Sequence, residues 1–257
     1  MLLKIRSGVK LGSLSDIGCQ RENNEDRCKY WESAGDKDFN RKGRLAIIAD
    51  GMGGYEGGQD ASRIAVETVE EIYAGAATGH PQELLVTGLQ SAHTRILQYA
   101  TGHPALRGMG TTCTAIAVVG NHLVYAHIGD SRLYLVRASK ISRLTRDHSY
   151  VNRLVEAGII SPGDAETHPQ RNVLTAALGA GDVIVPECPQ APIALASDDV
   201  LALCTDGLWG MVTDDEIRSL AGAKPPQSAC QHLIQLAKQR GGPDNITVMI
   251  LQIKKLS

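Results

Sequence analysis

"TTCTAIAVVGNHLVYAHIGDSRLYLVR", residues 111–137, carries three apolar runs separated only by "GN" and "GDS". The runs at 111–119, 122–128 and 132–137 are rich in Val, Ile, Leu, Tyr and Thr. Gaps this short fit hairpins and leave no room for a crossover helix, so the three strands are expected to be antiparallel. Sequential hairpins exclude a purely alternating parallel sheet. They point to an α+β class in which antiparallel sheets are covered by helices.

Working outward from this stretch, residues 44–49 read as a buried strand and 141–145 as a further one. From about 58 to 74, Ala61, Ile64, Ala65, Val69, Ile72 and Tyr73 recur at helical spacing. From about 81 to 100, Pro81 suits a first turn, and Leu84, Leu85, Leu89, Ala92, Ile96 and Leu97 complete a second amphipathic helix. Residues 148–185 depart from this regularity. They hold a short helix ("SYVNRLVEAG") and then turn-rich sequence without a clear period, which reads as an excursion from the sheet, a flap. A strand at 199–204, helices at about 214–221 and 226–239, and a strand at 246–254 complete the order.

The chain has 257 residues, 43% apolar and 21% charged, with a formal net charge of −2. That is the composition of an ordinary globular protein. No Lys/Arg block is present, which argues against nucleic-acid or membrane-surface binding. No run approaches the length of a membrane span, and the apolar run at the N-terminus is too short for a signal peptide, so the expected location is the cytoplasm. The six cysteines (Cys19, Cys28, Cys113, Cys188, Cys204, Cys230) form no C-x-x-C pair and read as buried, reduced thiols.

Against this map the aspartates fall at comparable places. Asp50, Asp130 and Asp206 each follow a strand, and Asp244 precedes one. In an antiparallel arrangement strand ends and starts alternate along one edge, so the four could gather at one rim despite their separation in sequence. Each alone has an ordinary turn reading, since Asp-Gly and Asp-Asn are common turn pairs. Together they would repel and raise one another's pKa, and a cation among them relieves this. Oxygen donors without His or Cys suit Mg²⁺ or Mn²⁺. Glu25 and Asp26, in "SDIGCQRENNEDRC" (15–28), add two acids, and Arg21 adds a planar fork suited to a phosphoryl group or to pairing with those acids. On a regular strand Glu25 and Asp26 would face opposite sides, so the chain must bend there or one acid must act through water. "ADGMGGYEGG" (49–58) lacks the Lys and Ser/Thr of a phosphate loop. Its glycines read instead as a metal loop, letting the backbone pass close by and the Gly51 carbonyl turn toward an ion.

Eight motifs then occur in order: "RENNED" (21–26), "ADGMGG" (49–54), "GTT" (110–112), "GDSRLY" (129–134), "LTRDHS" (144–149), "HPQRNVLT" (168–175), "TDGLW" (205–209) and "GPDNIT" (242–247). From about residue 12 to 253 the chain resembles the bacterial branch of the metal-dependent protein phosphatases, the phosphatase 2C type. The resemblance implies one catalytic domain spanning residues 1–257, an α-β-β-α sandwich with a flap at about 148–185. It implies two Mn²⁺ or Mg²⁺ ions at one end of the sandwich. Asp50 would bridge them, Asp206 and Asp244 would complete the first, and Glu25 with the Gly51 carbonyl would serve the second. Asp26 would hold a metal-bound water, Arg21 would receive the substrate phosphate, and Asp130 with Asp206 would hold a third, looser ion. A hydroxide bridging the ions would attack phosphorus in line with the leaving serine or threonine oxygen.

The sequence departs from relatives at Met52 and Tyr55, where some have His, and at Gly210, where some have Asp. It departs again at Ala176, where an Arg is frequent. Tyr55 is expected at the substrate rim, His127 and His148 in structural hydrogen bonds, and Trp209 as a core anchor. The implied function is hydrolysis of phosphoserine and phosphothreonine in proteins, by a monomer opposing a bacterial Ser/Thr kinase. The alternatives are a phosphatase for a small phosphoester or phosphotyrosine, and an inactive phosphoprotein-binding module. The intact acid set disfavours the last.

Overall fold

In a computed structural model, residues 5–53 and 57–254 are described. The order begins with β1 (Val9–Asp16), β2 (Asp26–Glu32), α1 (Asp36–Lys42), β3 (Arg44–Met52), α2 (Gly57–Gly75) and α3 (Pro81–Gly102). It continues through β4 (Gly110–Thr111), β5 (Cys113–Val119), β6 (His122–Ile128), β7 (Arg132–Arg137) and β8 (Lys140–Arg143). Then come α4 (Tyr150–Glu156), α5 (Pro162–Thr167), β9 (Ile193–Ala194), β10 (Val200–Cys204), α6 (Asp206–Trp209), α7 (Asp214–Ala223), α8 (Pro226–Gln239) and β11 (Ile246–Ile253).

Two antiparallel sheets result, ordered β1-β11-β10-β7-β8 and β2-β3-β5-β6-β9, with β4 paired to the end of β3. The central strands β3, β5, β10 and β11 are apolar on both faces because both faces are covered. Along β3, Leu45, Ile47 and Ala49 pack toward α2 and α3, while Ala46 and Ile48 pack between the sheets. Along β10, Val200, Ala202 and Cys204 pack with α7 and α8, while Leu201 and Leu203 enter the inter-sheet layer. The period of two divides one strand between two cores, giving four layers, helices-sheet-sheet-helices. The α-β-β-α expectation holds. No helix among the described residues is long and apolar enough to cross a membrane.

Four local expectations change. The "GDS" gap does not close a hairpin. β6 pairs with β5 and β9, whereas β7 pairs with β10 and β8, so the chain crosses between sheets at Gly129–Ser131. The step is buried and needs Gly129 at φ +105, where an added Cβ would lie 2.5 Å from Thr112. The run at 111–119 is broken at Thr112, whose N–H and hydroxyl turn to the Asp50 backbone. The segment expected as an excursion holds a second helix, α5, opened by a capping box between Ser161 and Asp164 with Pro162 at its first position, a signal concealed in turn-like "SPGD". All six cysteines are free, but only Cys113, Cys204 and Cys230 are buried, and Cys19 is exposed.

Candidate metal centre

The carboxylates converge because of how strand ends are paired. Asp26 opens β2 and stands directly opposite Asp50 on β3. β10 ends beside the start of β11, since Cys204 faces Val248, which sets Asp206 and Asp244 close together. Asp130 sits on the crossover between the sheets. A cleft of about 430 Å³ is lined by Arg21, Glu25, Asp50, Asp130, Asp206 and Asp244, with Gly51, Met52 and Thr112 also on its wall.

Glu25 and Asp26 solve the facing problem by the position of the strand start. Glu25 precedes β2 and lines the cleft. Asp26 is the first strand residue, 2% exposed, and lies beneath it. The Glu25 turn is fixed from several directions. Its N–H donates to Asn245 Oδ1 (2.8 Å), and its carbonyl accepts from Ser62 Oγ (2.5 Å) and Gly51 N–H (3.2 Å). Asn245 in turn donates to the carbonyls of Ile17 (3.0 Å) and Asn23 (2.9 Å). The glycines serve close approach: a Cβ on Gly51 would lie 2.1 Å from the Gly58 carbonyl oxygen, and one on Gly58 would lie 2.5 Å from Glu25 Oε2.

Asp26 Oδ2 accepts from Thr205 Oγ1 (2.9 Å), and Asp50 N–H donates to Thr112 Oγ1 (2.9 Å). Thr112 also meets Ser131 Oγ (2.7 Å), tying β3 to the crossover that carries Asp130. Trp209 packs against the helix-side core, as an anchor should. Its indole N–H also donates to the Asp130 carbonyl (2.9 Å), and Arg132 stacks on its ring at 3.6 Å.

Burial, then mutual repulsion, governs the charges. Asp26 is pushed up to about 7 by burial, against the hydrogen bond from Thr205, with Asp206 and Asp244 adding to the rise. Asp206 is pushed up to about 6 by burial and then by Asp244. Asp50 is held well above the usual carboxylate range by burial and by Asp26, Asp206, Asp130 and Asp244. Asp130 is raised by burial and Asp206, and Glu25 by burial against the pull of Arg21. Asp26 Oδ1 and Asp206 Oδ1 are buried without a hydrogen-bond partner. An all-oxygen donor set, mutually repelling and with two unpartnered buried oxygens, fits hard divalent cations. Arg21 is half-exposed at the mouth. Only its Nη2 meets Asp244 (2.8 Å), so the rest of its fork remains available to a phosphoryl oxygen.

Tyr55 lies outside the described residues. Thr112, Thr205, Asn245 and Ser62 received no role from the sequence, although "GTT", "TDG" and "DN" contain three of them. Asn172 and Leu174, between α5 and β9, also reach the cleft. A second group, His127, His148 and Glu187, brings its donor atoms within 4.8 Å of one another. His127, however, uses both ring nitrogens, on Thr114 Oγ1 (2.8 Å) and the Arg146 carbonyl (3.0 Å), and burial holds it neutral with its pKa down at about 4. It is a structural tie.

The protein phosphatase 2C family model matches residues 20–239. The protein phosphatase PhpP of Streptococcus pneumoniae is 36% identical over 252 residues, covering 96% of this chain and 98% of the relative. A Mycobacterium tuberculosis serine/threonine phosphatase, PstP/Ppp, has a crystal structure that superposes with a TM-score of 0.85 at 33% identity, covering 96% of this chain and 100% of that one. The catalytic domain of a phosphatase PstP in complex with two manganese ions gives 0.83 at 31% identity, covering 96% and 99%.

Proposed function

The chain belongs to the protein phosphatase 2C family and is a metal-dependent serine/threonine protein phosphatase; from that premise we propose how its residues divide the reaction. Asp50, Asp206 and Asp244 would hold one divalent cation, and Asp50, Glu25 and the Gly51 carbonyl a second, Mn²⁺ or Mg²⁺. Asp130 and Asp206 would hold a looser third. When bound, the cations supply Lewis-acid activation of water and neutralise charge on the phosphoryl group.

The chain's own groups do the rest. Arg21 takes non-bridging phosphoryl oxygens at the mouth and orients the ester for in-line attack. Asp26, fixed by Thr205, presents its free Oδ1 to orient the attacking water. The water oxygen forms the bond to phosphorus as the ester oxygen leaves and takes up a proton. Met52 lines the cleft and has no proton to give, and we assign that proton to water. The observation carrying this reading is the convergence of Arg21 and five acids on one cleft, with Asp26 beneath.

The chain is further proposed to act as one catalytic domain with a flap at 148–185, as a cytoplasmic monomer opposing a Ser/Thr kinase in signalling. Its partners on this reading are phosphoproteins, with neither nucleic acid nor membrane. The test is Mn²⁺-dependent turnover of p-nitrophenyl phosphate and of phosphothreonine and phosphotyrosine peptides by wild type, Asp50→Asn and Asp206→Asn. Both variants lose at least about a hundred-fold in kcat, the scale of removing one charge-stabilising group. Activity surviving either substitution refutes the mechanism. Preference for phosphotyrosine or for the small ester alone selects that alternative, and wild type inert on every substrate selects the binding module.

A further inference from the structure

The cleft holding the carboxylates opens, through the shared residues Met52, Asn172 and Leu174, into a larger one of about 680 Å³. This second cleft holds no carboxylate of the candidate metal centre. Its lining is small and apolar at Ala176, Ala177 and Gly181, and α4 contributes Asn152 and Arg153. Asp147 and Glu156 also line it, but both are partnered. Asp147 pairs with Arg132 (2.7 Å) and Arg143 (3.1 Å), and Glu156 accepts from Asn152 (3.1 Å). Arg146 stands between Glu156 and Glu187, at 3.9 and 3.8 Å. Arg153 is exposed, on the last turn of α4, and has no ion pair among the described residues.

A second feature of the same cleft is independent of charge. Val183 and Val185 are 82% and 83% exposed, while Ile184 between them is 7% exposed and packs into the helix-side core. That alternation is the pattern of an extended chain. Val183, Ile184 and Val185 make no backbone–backbone hydrogen bond with the described residues. An extended segment with open backbone groups and outward valines, set along a cleft that runs into the candidate active site, is a free edge for strand addition.

We propose that this groove binds the polypeptide flanking the phosphorylated residue of a protein substrate. The flank lies extended along Val183–Val185, pairing backbone to backbone, and Arg153 selects an acidic side chain within it. This rests on the protein-phosphatase reading and adds where the substrate chain lies and which sequence it favours. Backbone pairing supplies affinity without regard to sequence. The Arg153 guanidinium, without an ion pair among the described residues, supplies the preference, since an exposed charge pair discriminates more than it binds.

The experiment uses the full chain with Mn²⁺ and phosphothreonine peptides of one length. Glu or Lys occupies the flanking positions on either side of the phosphoresidue. Wild type favours the Glu peptide in kcat/KM by about five-fold, the scale of a partly exposed ion pair. Arg153→Glu reverses the preference. Because the ratio is taken within one enzyme, changes in folding or metal content cancel. A second arm places N-methyl groups at alternate flank positions. One of the two alternating sets lowers kcat/KM about ten-fold and the other does not, because alternate residues face a pairing edge. A Glu/Lys ratio that Arg153→Glu does not move overturns the selection by Arg153. Equal tolerance of both methylated sets overturns the strand pairing. Wild type inert toward every phosphopeptide overturns the phosphatase reading and this one with it.

Discussion

Replacing Asn245 by Ala tests whether the Glu25 turn is held from across the molecule. The side chain is 5% exposed and makes three hydrogen bonds, to Glu25 N–H, the Ile17 carbonyl and the Asn23 carbonyl. Alanine supplies none of them and leaves one donor and two acceptors in a partly dry site. At about 1 kcal/mol for each unmade bond the loss is about 3 kcal/mol. For a chain of this size that lowers Tm by about 6–12 °C. The same substitution frees the Glu25 backbone, so a higher Mn²⁺ concentration is needed for half-maximal turnover. Urea unfolding followed by fluorescence of the two tryptophans, with a Mn²⁺ titration of p-nitrophenyl phosphate hydrolysis, reads both effects. Tyr73→Phe is the reference, since it deletes one buried bond to the Lys42 carbonyl (2.7 Å) on the outer helix layer. It costs about 1 kcal/mol and leaves the Mn²⁺ requirement unchanged. A loss below about 1 kcal/mol for Asn245→Ala, with an unaltered Mn²⁺ requirement, would refute the reasoning.

Gly51→Ala sets a Cβ 2.1 Å from the Gly58 carbonyl oxygen, a backbone atom that cannot swing aside, and costs about 1–3 kcal/mol in urea unfolding. With chelator present, Tm falls as pH rises from 5 to 8. The folded chain holds protons on Asp206 up to about pH 6 and on Asp26 up to about pH 7, whereas the unfolded chain releases them near pH 4. That stabilising contribution is complete below about pH 4 and is lost between there and about pH 6–7. Saturating Mn²⁺ reverses the loss, and a chelated Tm that is flat or rising over this range counts against a raised carboxylate cluster. Trp209→Phe keeps a ring under Arg132 but removes the bond to the Asp130 carbonyl, costing about 1 kcal/mol in urea unfolding. An unchanged urea midpoint would show that the indole N–H does not hold the crossover.

The layer plan was legible because it is written in local patterns. Continuous apolar runs mark β3 and β10, helical spacing marks α2 and α3, and Gly120-Asn121 marks a hairpin. What was not legible depends on partners far away in sequence. Residues 9–43 carry mixed polarity, and β1 and β2 are strands because β11 and β3 pair with them along their whole length. Thr112 looks like any strand threonine until Asp50 lies beside it, and Asn245 like any turn residue until Glu25 does. "GDSR" reads as a hairpin turn because a turn and a crossover need the same residues: a glycine free to take positive φ and small polar side chains.

That last ambiguity bears on the chemistry. Had β6 and β7 formed a hairpin, Asp130 would sit on a turn of one sheet. In the observed topology the chain leaves the six-stranded sheet after Ile128 and enters the five-stranded sheet at Arg132, so Asp130 lies at the seam. Asp26 and Asp50 come to that seam from one sheet, and Asp206 and Asp244 from the other. Neither sheet alone supplies the acids: each brings a strand start beside a strand end, and stacking the two faces sets the pairs together. The hydrophobic layer between the sheets, with Ile48 and Tyr30 on one side and Leu203 and Met249 on the other, therefore also fixes the spacing of the carboxylates. Interiors pack too densely to let one sheet slide on the other without moving side chains. The apolar inter-sheet face and the acidic rim are thus parts of one construction, and the register that buries Ile48 is the register that holds Asp50 opposite Asp26.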